Sequence, residues 1–444
     1  MSGGELPPGL YCGKKTGTGI KTAGGDAAAT GMRGAHGMDE QLHVALISTH
    51  FAPEVTPITH LYADLAEDFC RFGARVSVVT KLPGHELSEQ ERAVFYRRRD
   101  ETTPEGYRIL RVGHKARRGA NLVERALRAC LNTLAIYRAA KKLKADVYIL
   151  CSMPAYLGLV GARLSRHART VYILQEIFPD NLVAAGRYTE WHPVIRFCRR
   201  MEQHIYRRNS AFVTLSEEMK RTLVARGIES HKIAVIPNWA DTEAIHPVPR
   251  DQNALFDELD LPRAGFYAVY AGTLGFLQEP DVILDAAKLL RDEKDIRILV
   301  FGDGALREHM QNRIVREQIE NVSLFPLLRA ERTAEVYSIA DIALVPLKKG
   351  MTRIAVPSET WLALAAGRPV VVCAEAGSEW ARSIEHESYG VCITPGEPQE
   401  MADAILRLHA SAVPLSELGA RARRYACAHA SREQATGAYY DWIR

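Results

Sequence analysis

Residues 342–373 read IALVPLKKGMTRIAVPSETWLALAAGRPVVVC, and their spacing predicts strand, loop, short helix and strand. Ser358 is placed to cap a helix running to about Ala366, where Gly367 and Pro369 stop it. A right-handed βαβ crossover would set that helix start at the C-terminal edge of a parallel sheet. Free backbone N–H groups there suit an anion, and Lys348, Lys349 and Arg353 occupy the loop leading in. An ordinary crossover beside a solvated basic loop fits these residues equally well.

Two glycine turns repeat the theme. Gly272-Thr273-Leu274-Gly275 and Gly302-Asp303-Gly304 each follow an apolar run, where missing side chains let backbone N–H groups approach a phosphate. Glu176 follows the apolar run at 170–174, where a carboxylate suits proton transfer, although a local cap or ion pair reads as well. His50 and His60 stand in or beside the loop after the first apolar run, and a lone loop histidine is often structural.

The elements that must position these groups alternate strand and helix. Strands are expected over 42–48, 74–80, 107–112, 146–151, 170–174, 211–215 and 233–236, with helices over 59–72, 122–144 and 191–208. Residues 237–250 are extended and proline-bearing, as at a domain boundary. The pattern then restarts, with strands over 266–270, 296–301, 322–325, 342–347, 370–373 and 390–394, and helices closing the chain over 417–429 and 433–443. The domains expected are 1–37 as a disordered extension, 38–245, 246–425, and 426–444 as a final helix returning to the first domain. Two consecutive α/β domains with ligand-type loops at their strand ends imply a cleft between them.

Composition narrows the class. A chain of 444 residues exceeds one ordinary core, and 47% apolar with 25% charged residues is that of a soluble globular protein. Eight cysteines without a C-x-x-C argue against a zinc site or a disulfide framework, and for a reducing compartment. No apolar run has the length of a membrane-spanning helix, and no signal-peptide pattern opens the chain, so a cytoplasmic protein is expected. The first 37 residues are rich in Gly, Ala and Thr, and Met38, just before the first strand, reads as an alternative start.

The net charge of +4 is unevenly spread. Residues 115–144 hold nine Lys/Arg against one Glu, and in 191–208 five arginines face Glu202. Such runs are either solvated faces or a basic, aromatic-flanked surface resting on an anionic leaflet. No DNA- or RNA-recognition motif is present, so nucleic acid is not an expected partner.

In order along the chain, HVALISTHFAPE, LQEIFPDNLVAAG, IPNWADTEAIHP, YAGTLG, LVFGDG and VPSETWLALAAGRPVVV resemble the family 4 glycosyltransferases of the GT-B fold, from about Met38 to the C-terminus. The subgroup that looks most similar transfers sugars onto lipid-linked intermediates of bacterial surface polysaccharides. The resemblance implies two Rossmann-like domains facing across a cleft, and an NDP-sugar, with UDP favoured, on the second domain. Its base would lie near Phe325, Leu327 and the Gly302–Asp303–Gly304 turn. Its diphosphate would lie against Arg353, Pro357, Ser358 and the loop of Gly272, Thr273 and Gly275. It implies transfer with retention. No D-x-D stands at a strand end, so the leaving diphosphate is expected to rest on helix dipole and cations without a metal or other cofactor.

Glu176 takes the position of the family's cleft-facing acidic or His residue, as acceptor base or as a partner for positive charge at the sugar. His50, Thr56 and Pro57 fall on the acceptor side. Departures are specific. Ile354 and Leu362 replace a pair of glutamates usual around the helix start, Glu359 replaces a lysine, and Thr56-Pro57 replaces a glycine pair. Glu359 is expected either to meet a donor hydroxyl or to favour the helix N-terminus. Two other readings remain at this stage: a nucleotide-sugar epimerase of the same architecture, and a non-catalytic GT-B partner. The protein is expected at the inner face of the membrane, as a peripheral enzyme.

Overall fold

The computed structural model describes residues 41–54, 56–84, 87–115 and 121–444, and those from Gln41 onward form one compact unit. The expected extension over 1–37 and the alternative start at Met38 lie outside the described residues. Two sheets carry the chain. The first comprises β1 (His43–Ile47), β2 (Arg75–Lys81), β3 (Asp100–Thr102), β4 (Arg108–Val112), β5 (Val147–Cys151), β6 (Arg169–Ile173), β7 (Ala211–Thr214) and β8 (Ile233–Val235), in the order β3-β4-β2-β1-β5-β6-β7-β8. Only β3 pairs antiparallel, with β4. The second comprises β9 (Phe266–Thr273), β10 (Ile296–Asp303), β11 (Val322–Phe325), β12 (Ile342–Val345), β13 (Val370–Cys373) and β14 (Gly390–Ile393), ordered β11-β10-β9-β12-β13-β14 and parallel throughout.

Continuous apolar strands such as HVALI, VYILC and VVVC are buried along their whole length, because crossover helices cover both faces of a parallel sheet. Strand order reverses between β1 and β5 in the first sheet and between β9 and β12 in the second. Those switch points open crevices beyond the C-terminal strand ends. The loops holding His50, Ser152 and Glu176 leave one such edge, and the strand ends at Gly272 and Gly302 with the loop holding Lys348 form the other.

The chain end ties back to its beginning. Helix Leu415–His429 packs against helix Ser358–Ala365, and helix Arg432–Ile443 packs on helix Pro57–Arg71. Arg432 anchors the return: its guanidinium meets Asp64 at 2.8 Å, Glu67 at 2.7 Å and Asp68 at 2.9 Å. Trp239 Nε1 donates to Asp64 from beneath, at 2.8 Å.

Candidate active site

Three backbone ends meet in the second half. β9 and β10 stay in register through Gly272↔Gly302 and Thr273↔Asp303, so the strands run further than the apolar pattern predicts, and the expected turns begin later. The glycines are required by contact. A Cβ on Gly272 would lie 2.6 Å from Glu359 Oε1, and one on Gly304, at φ +140°, would lie 2.6 Å from the Leu274 carbonyl oxygen. Leu274 closes the loop, its N–H donating to Asp303 O at 2.8 Å and its carbonyl accepting from Leu306 N–H at 3.0 Å. Gly275 N–H turns back to Thr273 O at 3.0 Å. Arg307 Nη1 donates to the carbonyls of Gly302, at 2.5 Å, and Phe325, at 2.8 Å, joining the ends of β10 and β11. The Phe325 ring stacks on Phe301, centroids 5.0 Å apart, while Leu327 is exposed beyond it.

The helix start differs from expectation. Pro357, not Ser358, is the N-cap, and Ser358 is the first helical residue. Pro357 has no side-chain acceptor to offer, so the cap makes no side-chain hydrogen bond. Glu359 follows in the first turn with its carboxylate against Gly272, and its own N–H and that of Thr273 act to lower its pKa. Burial pushes its carboxyl up, and the two N–H groups offset only part of that rise.

Arg353 is exposed at the lip of this seat. Its loop is tied down by Glu375, which accepts from Gly350 N–H and the Thr352 hydroxyl. Burial raises the Glu375 carboxyl, but those bonds and Arg353 outweigh it and hold the group below its ordinary value. Ile354 is buried and Leu362 packs against the same core, so the positions of the family's paired glutamates are structural here.

In the first half, Glu176 lines a cavity of about 490 Å³ together with His50, Lys81, Ser152, Tyr156 and Asn181. Asn181 Nδ2 donates to Glu176 Oε2 at 2.5 Å. Burial raises the Glu176 carboxyl above its ordinary value, and Asn181 offsets part of the rise. Under the floor lies Glu54, 3% exposed, which accepts from His50 Nδ1 at 3.0 Å, Lys81 Nζ at 3.2 Å and Gly84 N–H at 2.5 Å. Burial acts to raise Glu54, yet His50, Lys81 and Gly84 prevail and lower it.

His50 and Glu176 thus line one cavity. Thr56 and Pro57 form the start of helix Pro57–Arg71: Thr56 is its N-cap residue and its hydroxyl pairs with the Thr59 hydroxyl at 2.8 Å. His60 is exposed on that helix. Glu54, Lys81, Ser152, Tyr156 and Asn181 carry no signal of their own in the sequence. The spacing of Glu54 four residues after His50, and of Asn181 five after Glu176, is the trace that could have found two of them.

The two sites face each other through backbone contact. Glu176 forms an antiparallel bridge with Ala355, and Ile177 N–H donates to Ile354 O at 2.9 Å. The Glu176 loop is thereby held beside the segment that leads into Pro357, while its carboxylate meets Asn181 at the first-half cavity. Arg187 lies over the Phe276 ring at 4.4 Å, and Glu217 N–H donates to Glu379 at 2.9 Å, so the halves touch on several sides of the crevice. A buried carboxylate of raised pKa is equipped to handle a proton.

Comparisons with known proteins agree with this arrangement. Residues 59–244 match the model described as Glycosyltransferase Family 4, and residues 265–411 that described as Glycosyl transferases group 1. The probable glycosyltransferase WbjE of Pseudomonas aeruginosa is 28% identical over 59% of this chain and 66% of its own length. The putative colanic acid biosynthesis glycosyl transferase WcaI of Escherichia coli is 24% identical over 91% of this chain and its whole length. Among solved structures, a sucrose-phosphate synthase from Thermosynechococcus elongatus superposes with TM-score 0.72 at 17% identity, covering 91% of this chain and 99% of that one. Anabaena HepE, in complex with UDP and glucose, superposes with TM-score 0.66 at 16% identity, covering 90% and 99%. The chain belongs to the group 1, family 4 glycosyltransferases of the GT-B fold.

Proposed function

We propose that this glycosyltransferase moves a sugar from an NDP-sugar, with UDP as the nucleotide, to a glycosyl or lipid-linked acceptor in surface-polysaccharide assembly, at the cytoplasmic face of the membrane. The observation that carries the reading is the backbone bridge between Glu176 and Ala355, which joins the loop bearing a buried carboxylate of raised pKa to the segment that leads into Pro357 and Ser358. The relatives WbjE and WcaI support the transferase and polysaccharide parts, and HepE, solved with UDP and glucose, supports the donor.

The diphosphate rests on the backbone of Gly272–Gly275, Gly302–Gly304 and the first turn of helix Ser358–Ala365, with Arg353 at its rim. Phe325 and Leu327 border the base. The sugar projects toward Glu176, which accepts the acceptor's hydroxyl proton or steadies positive charge at the anomeric carbon. Transfer proceeds with retention. Among the described residues no cluster of three His, Cys, Asp or Glu is placed to hold a metal, and helix dipole with cations stabilises the leaving diphosphate.

Glu176→Gln is the direct test. Turnover of a UDP-sugar falls about a hundredfold or more while UDP affinity by calorimetry stays at the wild-type value. Unchanged turnover removes Glu176 from the reaction. Turnover that persists in a chelator supports the metal-free reading, and NMR of the product anomer reports retention or inversion.

A further inference from the structure

The first half also carries an apolar surface that the site does not use. In helix Leu122–Leu143 no described side chain before Ile136 is buried. Val123, Leu127, Leu131 and Leu134 nevertheless recur there at helical spacing, with Val123 77% and Leu127 58% exposed. A second ridge stands at the start of helix Pro193–Arg208, where Trp191 is 86% and Phe197 66% exposed, with Tyr188 and Val194 beside them. Single exposed apolar residues are ordinary, but two ridges of them mark a surface with a partner.

The fold sets both ridges on one side. Each helix crosses over between parallel strands, so both N-termini, where the exposed apolar residues lie, stand at the C-terminal edge that holds Glu176. Both helices pack against helix Gly158–Leu164, which lies between them on one face of the sheet. Ala129, Asn132, Thr133 and Ile136 of the first helix also wall the Glu176 cavity.

Charge selects the partner. Arg125, Arg138, Arg196, Arg200 and Arg207 are exposed on these two helices. The two acidic residues, Glu124 and Glu202, are engaged within the protein, by Arg128 at 2.9 Å and by Arg226. No described helix is long and apolar enough to cross a membrane. Glu190 is exposed beside Trp191, but the five exposed arginines outnumber it, and protruding aromatic and aliphatic side chains among cations suit the headgroup layer of an anionic bilayer better than the packed pockets of a protein interface.

We propose that this two-helix face docks on an anionic bilayer, Trp191, Phe197 and the Leu127–Leu131 stripe entering the headgroup layer. The Glu176 cavity then opens at the membrane surface and takes a lipid-linked acceptor from its plane. The proposal rests on the transferase reading above and names where its acceptor comes from.

The full chain is sedimented with phosphatidylcholine vesicles with and without phosphatidylglycerol. Binding is expected only with phosphatidylglycerol and weakens with salt. The double variants Trp191→Ser/Phe197→Ser and Leu127→Gln/Leu131→Gln each lower the partition about tenfold. Both keep wild-type circular dichroism, UDP affinity and turnover with a soluble glycosyl acceptor. Equal binding to neutral vesicles, or variants that bind as wild type, overturns the proposal. So does a self-association, read by analytical ultracentrifugation, that the same variants abolish, because the face would then belong to a second copy. Loss of turnover with soluble acceptor and UDP-sugar in the wild type would instead overturn the transferase reading, leaving the vesicle result to stand separately.

Discussion

The two halves share an architecture but build their sites from different materials. The second half makes its seat from backbone: glycines at the ends of β9 and β10, a helix start capped by proline, and carbonyls tied by Leu274 and Arg307. The first half makes its cavity from side chains: Glu176 held by Asn181, and His50 with Lys81 held by the buried Glu54. A backbone seat suits a ligand part that is always the same, a diphosphate. A side-chain cavity can change with the acceptor while the fold stays. The halves should therefore fail differently when broken.

The largest effect is expected where the Gly272 backbone meets the Glu359 side chain. Gly272→Val drives a side chain into the Glu359 carboxylate, which stands 2.6 Å from the Cβ position, and the seat must open to accept it. Overpacking of that kind costs about 1–3 kcal/mol, so UDP affinity by calorimetry drops on the order of tenfold to a hundredfold. Wild-type UDP affinity in Gly272→Val, in a protein with unchanged circular dichroism, would show that the end of β9 is no part of the donor seat.

Breaking the side-chain cavity gives the opposite pattern. Glu54→Gln removes the charge that His50 and Lys81 share while keeping an acceptor for Gly84 N–H. KM for the acceptor rises about tenfold and UDP affinity holds. Stability carries a second signature. The folded-state pKa of Glu54 is lowered, so its contribution is full above the ordinary carboxylate range and is lost as pH falls through the folded value. The acid-unfolding midpoint of Glu54→Gln therefore loses part of the pH dependence seen in the wild type. A variant that shifts UDP affinity and acceptor KM together would erase the distinction between the halves.

A smaller change sharpens the role of Glu176. Asn181 favours the ionised carboxylate, so Asn181→Ala raises the Glu176 pKa further. The acid limb of the kcat profile moves to higher pH by about one unit or less, with the plateau nearly kept. A limb that stays in place assigns it to another group.

The same contrast explains what the sequence discloses. Strands such as VYILC and VVVC announce themselves because burial on both faces leaves only apolar residues, and the glycine pairs mark the seat because backbone contact admits nothing larger. The acceptor cavity is legible only in part. Glu176 and His50 stand out by type and by following strands, whereas Lys81 and Tyr156 reach the cavity through tertiary packing that leaves no periodic trace. Ser358 shows a local rule overridden: serine is a common N-cap, but the chain path puts Pro357 there, and the cap makes no side-chain hydrogen bond. The membrane-type face is hidden differently. Its basic runs are plain in the sequence, but that Leu127 and Trp191 are left uncovered is a fact of packing alone.

The least expected residue of the donor seat gives the finest test of the contrast. Glu359 is a side-chain acid inside a backbone seat, and its carboxyl is pushed up by burial, with the N–H groups of Glu359 and Thr273 opposing. A diphosphate arriving at the same N–H groups competes with the carboxylate and repels it. Binding is therefore tighter when Glu359 is protonated, and UDP affinity falls as pH rises through the Glu359 pKa, which lies above the ordinary carboxylate range. Glu359→Gln keeps the shape and an acceptor oxygen but removes the charge. UDP binds severalfold tighter at neutral pH, roughly 1 kcal/mol, and that part of the pH dependence disappears. If Glu359→Gln instead weakens UDP binding at every pH, the carboxylate is holding the Gly272 loop in place rather than competing for it. The seat would then depend on a side chain as much as the acceptor cavity does.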